Sequence, residues 1–220
     1  MDLLEAIDRF CGENLSEQND WYDWKVNESM IPIDSRLLKG NSYYKNIILK
    51  EELHRAWKNE PDRMKKGEII KYYIKIWGGI RRNSVDLMEK YMFTSTPDSF
   101  IELGKKGIAS WSKALVIHDP NKYAIFDARV SVSLNYLQLK YDTSNKVLYP
   151  ILSSQNKKIT ESGKRIKQKA KDDNWGKVNS STFYFDYLSF LEKVAQSRNT
   201  NISTIEMLLF AKSEFLVVEM

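Results

Sequence analysis

Residues 104–130 read GKKGIASWSKALVIHDPNKYAIFDARV. A short helical stretch carrying Phe100, Ile101 and Leu103 runs into Gly104-Lys-Lys-Gly107. A tight connection, Ile108-Ala-Ser110, then leads into a helix from about Trp111 to His118, which Asp119-Pro120 terminates. An extended piece, Tyr123–Phe126, delivers the chain to Asp127, placed where a helix cap belongs. Val130, Leu134 and Leu137 then recur at helical spacing. The stretch predicts two helices joined by a glycine hairpin and a third helix that opens on a carboxylate.

Helical periods dominate on both sides. Leu3, Leu4, Ile7 and Cys11 form an apolar stripe behind an Asp2 cap. Residues 14–49, with the aromatic run WYDWKVNESMIPID, read as irregular. Helical spacing returns at 50–64 and at 67–77, where Ile69, Ile70, Tyr73, Ile74 and Trp77 share a face that Gly78-Gly79 ends. Ser84 caps a short helix, Thr96-Pro97 opens another, and Phe183–Val194 and Ile202–Phe210 close the chain. No internal repeat and no strand pair stands out. The expectation is an all-α fold in which residues 1–220 form one domain, or two lobes around a central cleft, with 98–140 and 151–180 as its functional segments.

Composition narrows the chemistry. The chain has 220 residues, 42% of them hydrophobic, which suits a globular core. No apolar run approaches the roughly 18 residues that a membrane span needs, and the acidic, amphipathic MDLLEAIDRF is unlike a signal peptide. One cysteine, Cys11, excludes an internal disulfide framework and suits a reducing cytoplasm. With His54 and His118 as the only histidines, zinc-finger and iron–sulfur chemistry lack ligands, so neither metal nor other cofactor is expected. Catalysis has to come from carboxylates, lysine, hydroxyls or backbone.

Charge is concentrated. Residues 151–180 hold Lys157, Lys158, Lys164, Arg165, Lys167, Lys169, Lys171 and Lys177 against three acidic residues, a surplus equal to the net charge of the whole chain, +5. Such a segment is either a polyanion-facing surface or a solvated lysine-rich helix.

In the hairpin, backbone N–H groups at the start of the second helix, backed by its dipole, can hold a phosphate without reading sequence. Lys113 is expected in the first turn of that helix, near the bound backbone. Asp127 sits at the next helix start, and Arg129 follows within reach of a phosphate.

These residues resemble the helix-hairpin-helix DNA glycosylase superfamily, its 8-oxoguanine branch in particular. The match rests on Gly107, on Ser112-Lys113-Ala114 opening the second helix, and on Ile125-Phe126-Asp127-Ala128-Arg129-Val130. It covers about 25 to 30 residues of the chain. The hairpin has Gly107-Ile-Ala109-Ser110 in place of glycine-x-glycine, and the lysine-to-aspartate interval is short. The resemblance implies a two-lobed helical fold with a central cleft and excision of a base by N-glycosidic cleavage. Lys113 would attack C1′ and Asp127 would be the essential carboxylate. Gly107, Ser110, Trp111, Ser112 and Arg129 would meet the DNA, with Lys157, Lys158, Lys164 and Arg165 on the basic segment. The implied partner is double-stranded DNA with a damaged or modified base, bound by a monomer in a bacterial or archaeal cytoplasm. Repair and defence against phage DNA both fit.

The chemistry suits these residue types. Breaking the bond builds oxocarbenium character at C1′, which a fixed carboxylate stabilises. An amine attacks C1′ once neutral, a state that desolvation favours, and the Schiff base formed permits β-elimination; water attack leaves an abasic site. Flipping the base costs a few kcal/mol, which aromatic stacking offsets. Trp77, Trp21 and Trp24 are the candidates for the pocket or wedge. Simpler readings stand beside these: Asp127 as a structural cap, Lys113 and His54 as surface residues, Trp111 as a hairpin anchor, His118 as a helix-end cap, and Trp77-Gly78-Gly79 as a helix stop or a close approach of substrate. Arg81-Arg82 touches phosphate or is solvated. The alternative for the whole chain is a non-catalytic helix-hairpin-helix DNA-binding module.

Overall fold

Asp2 opens α1 (Leu3–Asn14) through a reciprocal capping box: its side chain accepts from the Glu5 N–H, and its own N–H donates to the Glu5 carboxylate at 2.8 Å. Such caps contribute about 0.5–2 kcal/mol. The computed structural model describes residues 1–94 and 96–219 and is predominantly helical. The chain forms two compact units, one of Met1–Trp21 with Phe126–Met220, the other of Tyr22–Ile125. The division falls inside segment 98–140, two residues before Asp127.

The second unit is built on α6 (Ile108–His118), nine of whose eleven residues are buried. Against it pack α2 (Ser42–Asn59), α3 (Arg63–Lys71), a π-helical turn (Tyr72–Trp77), α4 (Val85–Phe93) and α5 (Pro97–Ile101). Ser84 and Asp62 cap α4 and α3 through their side chains, and Pro97 occupies the first turn of α5. Residues 14–49 are not irregular throughout: α2 begins at Ser42 behind the Asn41 cap, and short 3-10 turns occupy Glu28–Met30 and Ser35–Leu37. The buried face of α2 contains Asn46 and Lys50 among Tyr43, Leu49 and Leu53, so polar letters interrupt its apolar period. His54 is half-buried, not a surface residue; its Nδ1 donates to the Ile117 carbonyl at 2.9 Å and ties α2 to the end of α6.

The first unit has the same plan around α7 (Ala128–Lys140), ten of whose thirteen residues are buried. α1, α8 (Lys157–Asp172) and α10 (Ile202–Leu216) pack against it, and α9 (Phe183–Ser197) packs on α10 and α1. A helix buried on every side must satisfy its polar side chains internally. Ser133 Oγ donates to the Leu209 carbonyl at 2.7 Å, and Asn135 and Gln138 each accept from one backbone N–H and donate to one carbonyl of the 147–149 segment. This segment includes β1 (Val147–Leu148), which pairs in parallel with β2 (Gly176–Lys177) over two residues, a strand pair too short to leave a sequence pattern.

α7, α8 and α9 all end on a left-handed Asp or Asn: Asp142, Asn174 and Asn199. The next N–H in each case reaches back five residues, from Thr143 to Gln138, Trp175 to Ala170 and Thr200 to Ala195. These are Schellman closures made without glycine.

His118, the last residue of α6, lies between the Trp57 ring, 4.3 Å away, and the Phe100 ring at 5.7 Å. Burial, then His54 and Lys66, lower its pKa from 6.5 to about 4. The unfolded chain takes up a proton near pH 6.5 that the native chain refuses down to about pH 4. Stability therefore falls as pH drops through that window, by about 3 kcal/mol at most. His118→Phe should flatten the acid limb of a melting-temperature series across this range. An acid limb as steep as that of the wild type would contradict the assignment.

Candidate functional site

The hairpin residues lie in the second unit. Gly107 takes φ +71°, ψ +15°, and its carbonyl accepts from both the Ser110 N–H (2.8 Å) and the Trp111 N–H (3.0 Å). That left-handed residue starts α6 at Ile108, so Ile108-Ala-Ser110 is the first helical turn and not a connection. Lys113 accordingly sits in the second turn. A Cβ at Gly107 would run into the Tyr91 hydroxyl, which is buried without a hydrogen-bond partner among the described residues. Burial raises the Tyr91 pKa to about 12.

The side chains of Ser110, Trp111 and Ser112 do not face solvent. Trp111 and Ser112 are fully buried; the Trp111 indole donates to the Gly104 carbonyl at 3.2 Å and Ser112 Oγ to the Ile108 carbonyl at 2.6 Å. Ser110 Oγ accepts from Asn83 Nδ2 at 3.0 Å, which holds the exposed Arg81-Arg82 pair beside the start of α6. Their spacing on a helix buried almost all round turns these three side chains inward, with Trp111 as an anchor of the hairpin, and the Ser110 and Trp111 N–H groups bond the Gly107 carbonyl.

Lys113 is only 4% exposed. Its Nζ donates to the Ala109 carbonyl at 2.9 Å, and its alkyl stem crosses Gly78 so closely that a Cβ there would lie 2.6 Å from Cε. The π-helical turn makes this approach possible. The Gly78 N–H bonds back five residues to Tyr73, and the widened turn ends against α6. Gly78 thus provides a close approach, to Lys113, while Gly79 at φ +65° makes the helix stop.

Immediately before Gly78, Trp77 stacks on Tyr73 with ring centres 4.3 Å apart and meets the Trp24 edge at 6.1 Å. Asn46 locks this wall, accepting from the Trp77 indole at 2.7 Å and donating to the Trp24 carbonyl at 2.8 Å. Trp24 and Trp77 are therefore together, beside Lys113, whereas Trp21 belongs to the other unit.

Asp127 lies in the first unit. Asp127 caps α7, and its Oδ1 accepts from the Arg129 N–H at 2.9 Å and the Val130 N–H at 3.1 Å. Oδ2 takes no hydrogen bond among the described residues. Phe126 anchors this helix start by its edgewise contacts with Tyr187 and Phe183, at 5.3 and 5.5 Å. Burial, with Glu206, Tyr184 and Asp127 adding negative or competing groups, pushes the Tyr187 hydroxyl well above its ordinary pKa.

Arg129 does not reach outward. Its guanidinium bonds Glu214 at 2.5 Å and Ser213 at 3.3 Å and lies over the Phe210 ring. Glu214 Oε1 also accepts from Asn156 Nδ2 at 2.8 Å, and Asn156 caps α8. Two hydrogen bonds through Glu214 thus tie the start of the basic helix to the start of the Asp127 helix.

On α8, Ile159, Gly163, Ile166 and Ala170 face the core, and Lys157, Lys158, Lys164 and Arg165 are all exposed. Those four make no ion pair among the described residues, unlike Lys169, which bonds Asp173 at 2.9 Å. The exposed face of α8 thus carries these four cations with Glu161 among them, a basic face by charge.

No family model, no curated protein and no solved structure matches this chain.

Among the described residues, no group of three or more His, Cys, Asp or Glu is placed to hold a metal ion, and no helix is long and apolar enough to cross a membrane. Each unit thus holds part of what sequence predicts: Lys113 with Trp24 and Trp77 in one, Asp127 with Arg129 and α8 in the other. Sequence reasoning missed Tyr91, Asn46, Asn156 and Glu214, and it offered Gly78 as a close approach of substrate where the neighbour is Lys113. The four missed residues depend on long-range contacts that leave no local pattern.

Proposed function

We propose that the chain is a DNA N-glycosylase with a two-lobed helix-hairpin-helix fold around a central cleft, removing a damaged or modified base from double-stranded DNA. Asp127 carries the reading. One carboxylate oxygen is committed to two backbone N–H donors, which fixes the group, while the other is left for the sugar. A carboxylate held this way stabilises positive charge developing at C1′ without reorganising.

The C1′–N bond breaks, the base leaves with the bonding pair and is protonated, and a new bond forms from C1′ to Lys113 Nζ or to a water oxygen. In the first case the Schiff base opens a route to strand cleavage; in the second an abasic site remains. α8 supplies the sequence-independent attraction to phosphates, and Arg129 acts through Glu214 to position that helix. Repair of oxidised bases and defence against modified phage DNA both use this chemistry, in the cytoplasm where DNA is accessible.

A second reading, a non-catalytic DNA-binding module, is favoured by one observation. Lys113 Nζ is already bonded to Ala109 in a buried position, and that bond must break before the amine can attack. Borohydride trapping together with a base-release assay, on duplexes carrying candidate lesions, separates the two readings. If Lys113 is the nucleophile, wild type forms a covalent complex and Lys113→Gln none; base release without trapping assigns the attack to water, and the absence of both release and trapping leaves the binding module. Equal trapping by the variant would remove Lys113 as the nucleophile.

A further inference from the structure

We propose that Arg81 and Arg82, on the strap of residues 78–83, grip the phosphodiester backbone of a DNA duplex together with Lys105 and Lys106 of the hairpin. They form a phosphate-binding surface that the second unit carries apart from α8. The choice of DNA rests on the glycosylase reading; the surface itself does not. All four residues lie within the unit Tyr22–Ile125.

The strap is fixed at both ends. At its start the Gly78 backbone lies on the Lys113 stem, and the Ile80 N–H bonds back to the Ile74 carbonyl at 3.2 Å. At its end Asn83 Nδ2 donates to Ser110 Oγ at 3.0 Å. Ser110 and Lys113 are three residues apart and share a face of α6. The strap therefore runs along that helix from the candidate nucleophile back toward the hairpin. Lys105 and Lys106 immediately precede Gly107, so both basic pairs converge on the same end of α6.

The charges gathered there are left open. Arg9, Arg36, Arg55, Arg129 and Arg198 each pair with a carboxylate, and Arg63 lies over the Phe93 ring. Arg81 and Arg82, by contrast, are exposed and have no hydrogen bond, ion pair or ring contact among the described residues. Lys105 and Lys106 are likewise exposed and unpaired there. Residues 78–84 and 103–110 contain these four cations and no acidic residue; Asp86 and Glu102 are the nearest acids in sequence.

Like charges brought together without a counter-charge repel one another, and an anion of matching geometry relieves that. The planar fork of arginine fits a phosphate through two parallel hydrogen bonds. A strap anchored at both ends spares part of the ordering cost of presenting it. Two basic pairs on one surface call for several anions in a row, which a phosphodiester strand supplies. A single small anion would leave one pair uncompensated.

The test is the affinity of the full chain for a fluorescent DNA duplex, read by anisotropy across a salt series. Arg81→Gln/Arg82→Gln should weaken binding about tenfold at about 0.1 M salt and lower the slope of log affinity against log salt by about 1 to 2. Asn83→Ala keeps every charge but frees the strap, and should weaken binding about threefold through the restored ordering cost. Arg81→Lys/Arg82→Lys keeps the charges and both anchors, and should recover only part of the loss, since it lacks the fork. Wild-type affinity and slope in the glutamine double variant overturn the proposal. So does displacement of the duplex by poly-glutamate at equal charge, which makes the partner an acidic protein. Binding lost only in Lys164→Gln/Arg165→Gln also overturns it and leaves α8 as the DNA surface. Binding that depends on Arg81 and Arg82 in a chain that releases no base keeps this surface and overturns the glycosylase reading. A wild type that binds no duplex at low salt overturns both.

Discussion

Asp127→Asn is expected to reduce base release by about 10²–10⁴-fold, the range for losing a positioned acid–base or charge-stabilising group, while the melting temperature stays close to that of wild type. The separation follows from the two tasks of the side chain. As a cap it needs only an acceptor for the Arg129 and Val130 N–H groups, and asparagine caps helices as well as aspartate does. As a catalyst it needs the negative charge that asparagine lacks. Asp127→Ala should lose both, with the same fall in rate and a further cost of about 1 kcal/mol in stability. Rates of base release on a lesion duplex and thermal melts of the three proteins decide it. An asparagine variant that releases base at the wild-type rate reduces Asp127 to a structural cap.

The second large effect is at the hairpin. Gly107→Ala should destabilise the second unit by about 2–4 kcal/mol, combining the left-handed backbone cost for a side chain with overpacking. The methyl group would be driven into the Tyr91 hydroxyl, the Tyr91 Cζ standing farther off at 3.4 Å. Tyr91→Phe alone should be neutral or stabilising by about 1 kcal/mol, because the hydroxyl it removes is buried without a partner among the described residues. The double variant should recover the steric share and keep only the backbone share, about 1–2 kcal/mol. Denaturant titrations of the four proteins measure this coupling. Additive losses would show that the glycine is required for its φ alone and that Tyr91 does not limit the approach.

Much of the fold was legible in the sequence because its helices carry local start and stop chemistry. Asp2, Ser84, Pro97 and Asp127 each do in the structure what their position predicts. The errors have physical causes. α6 starts at Ile108 because Gly107 folds its own carbonyl into the first turn, an effect of φ that sequence letters do not reveal. α2 was half hidden because Asn46 and Lys50 are buried on its core face. The left-handed ends at Asp142, Asn174 and Asn199 escape a search for glycine, though Asn and Asp are the next best residues there.

At the site, Asp127 was legible as a helix start, and α8 as a charge run. Trp111 was legible as a hairpin anchor, but the inward orientation of Ser110 and Ser112 was not, since burial of α6 on nearly all sides is a product of packing and not of period. Arg129 looked like a phosphate ligand in sequence, and it is Glu214, 85 residues away, that engages it.

The most direct test of glycosidic cleavage is to incubate the chain with a panel of natural, oxidised and phage-modified duplex DNAs and identify any released base by mass spectrometry. The account predicts a free base from at least one modified duplex, with an abasic site or a β-elimination product left in the strand. Tight binding across the panel with no base released from any duplex would contradict it and leave the chain a DNA-binding module.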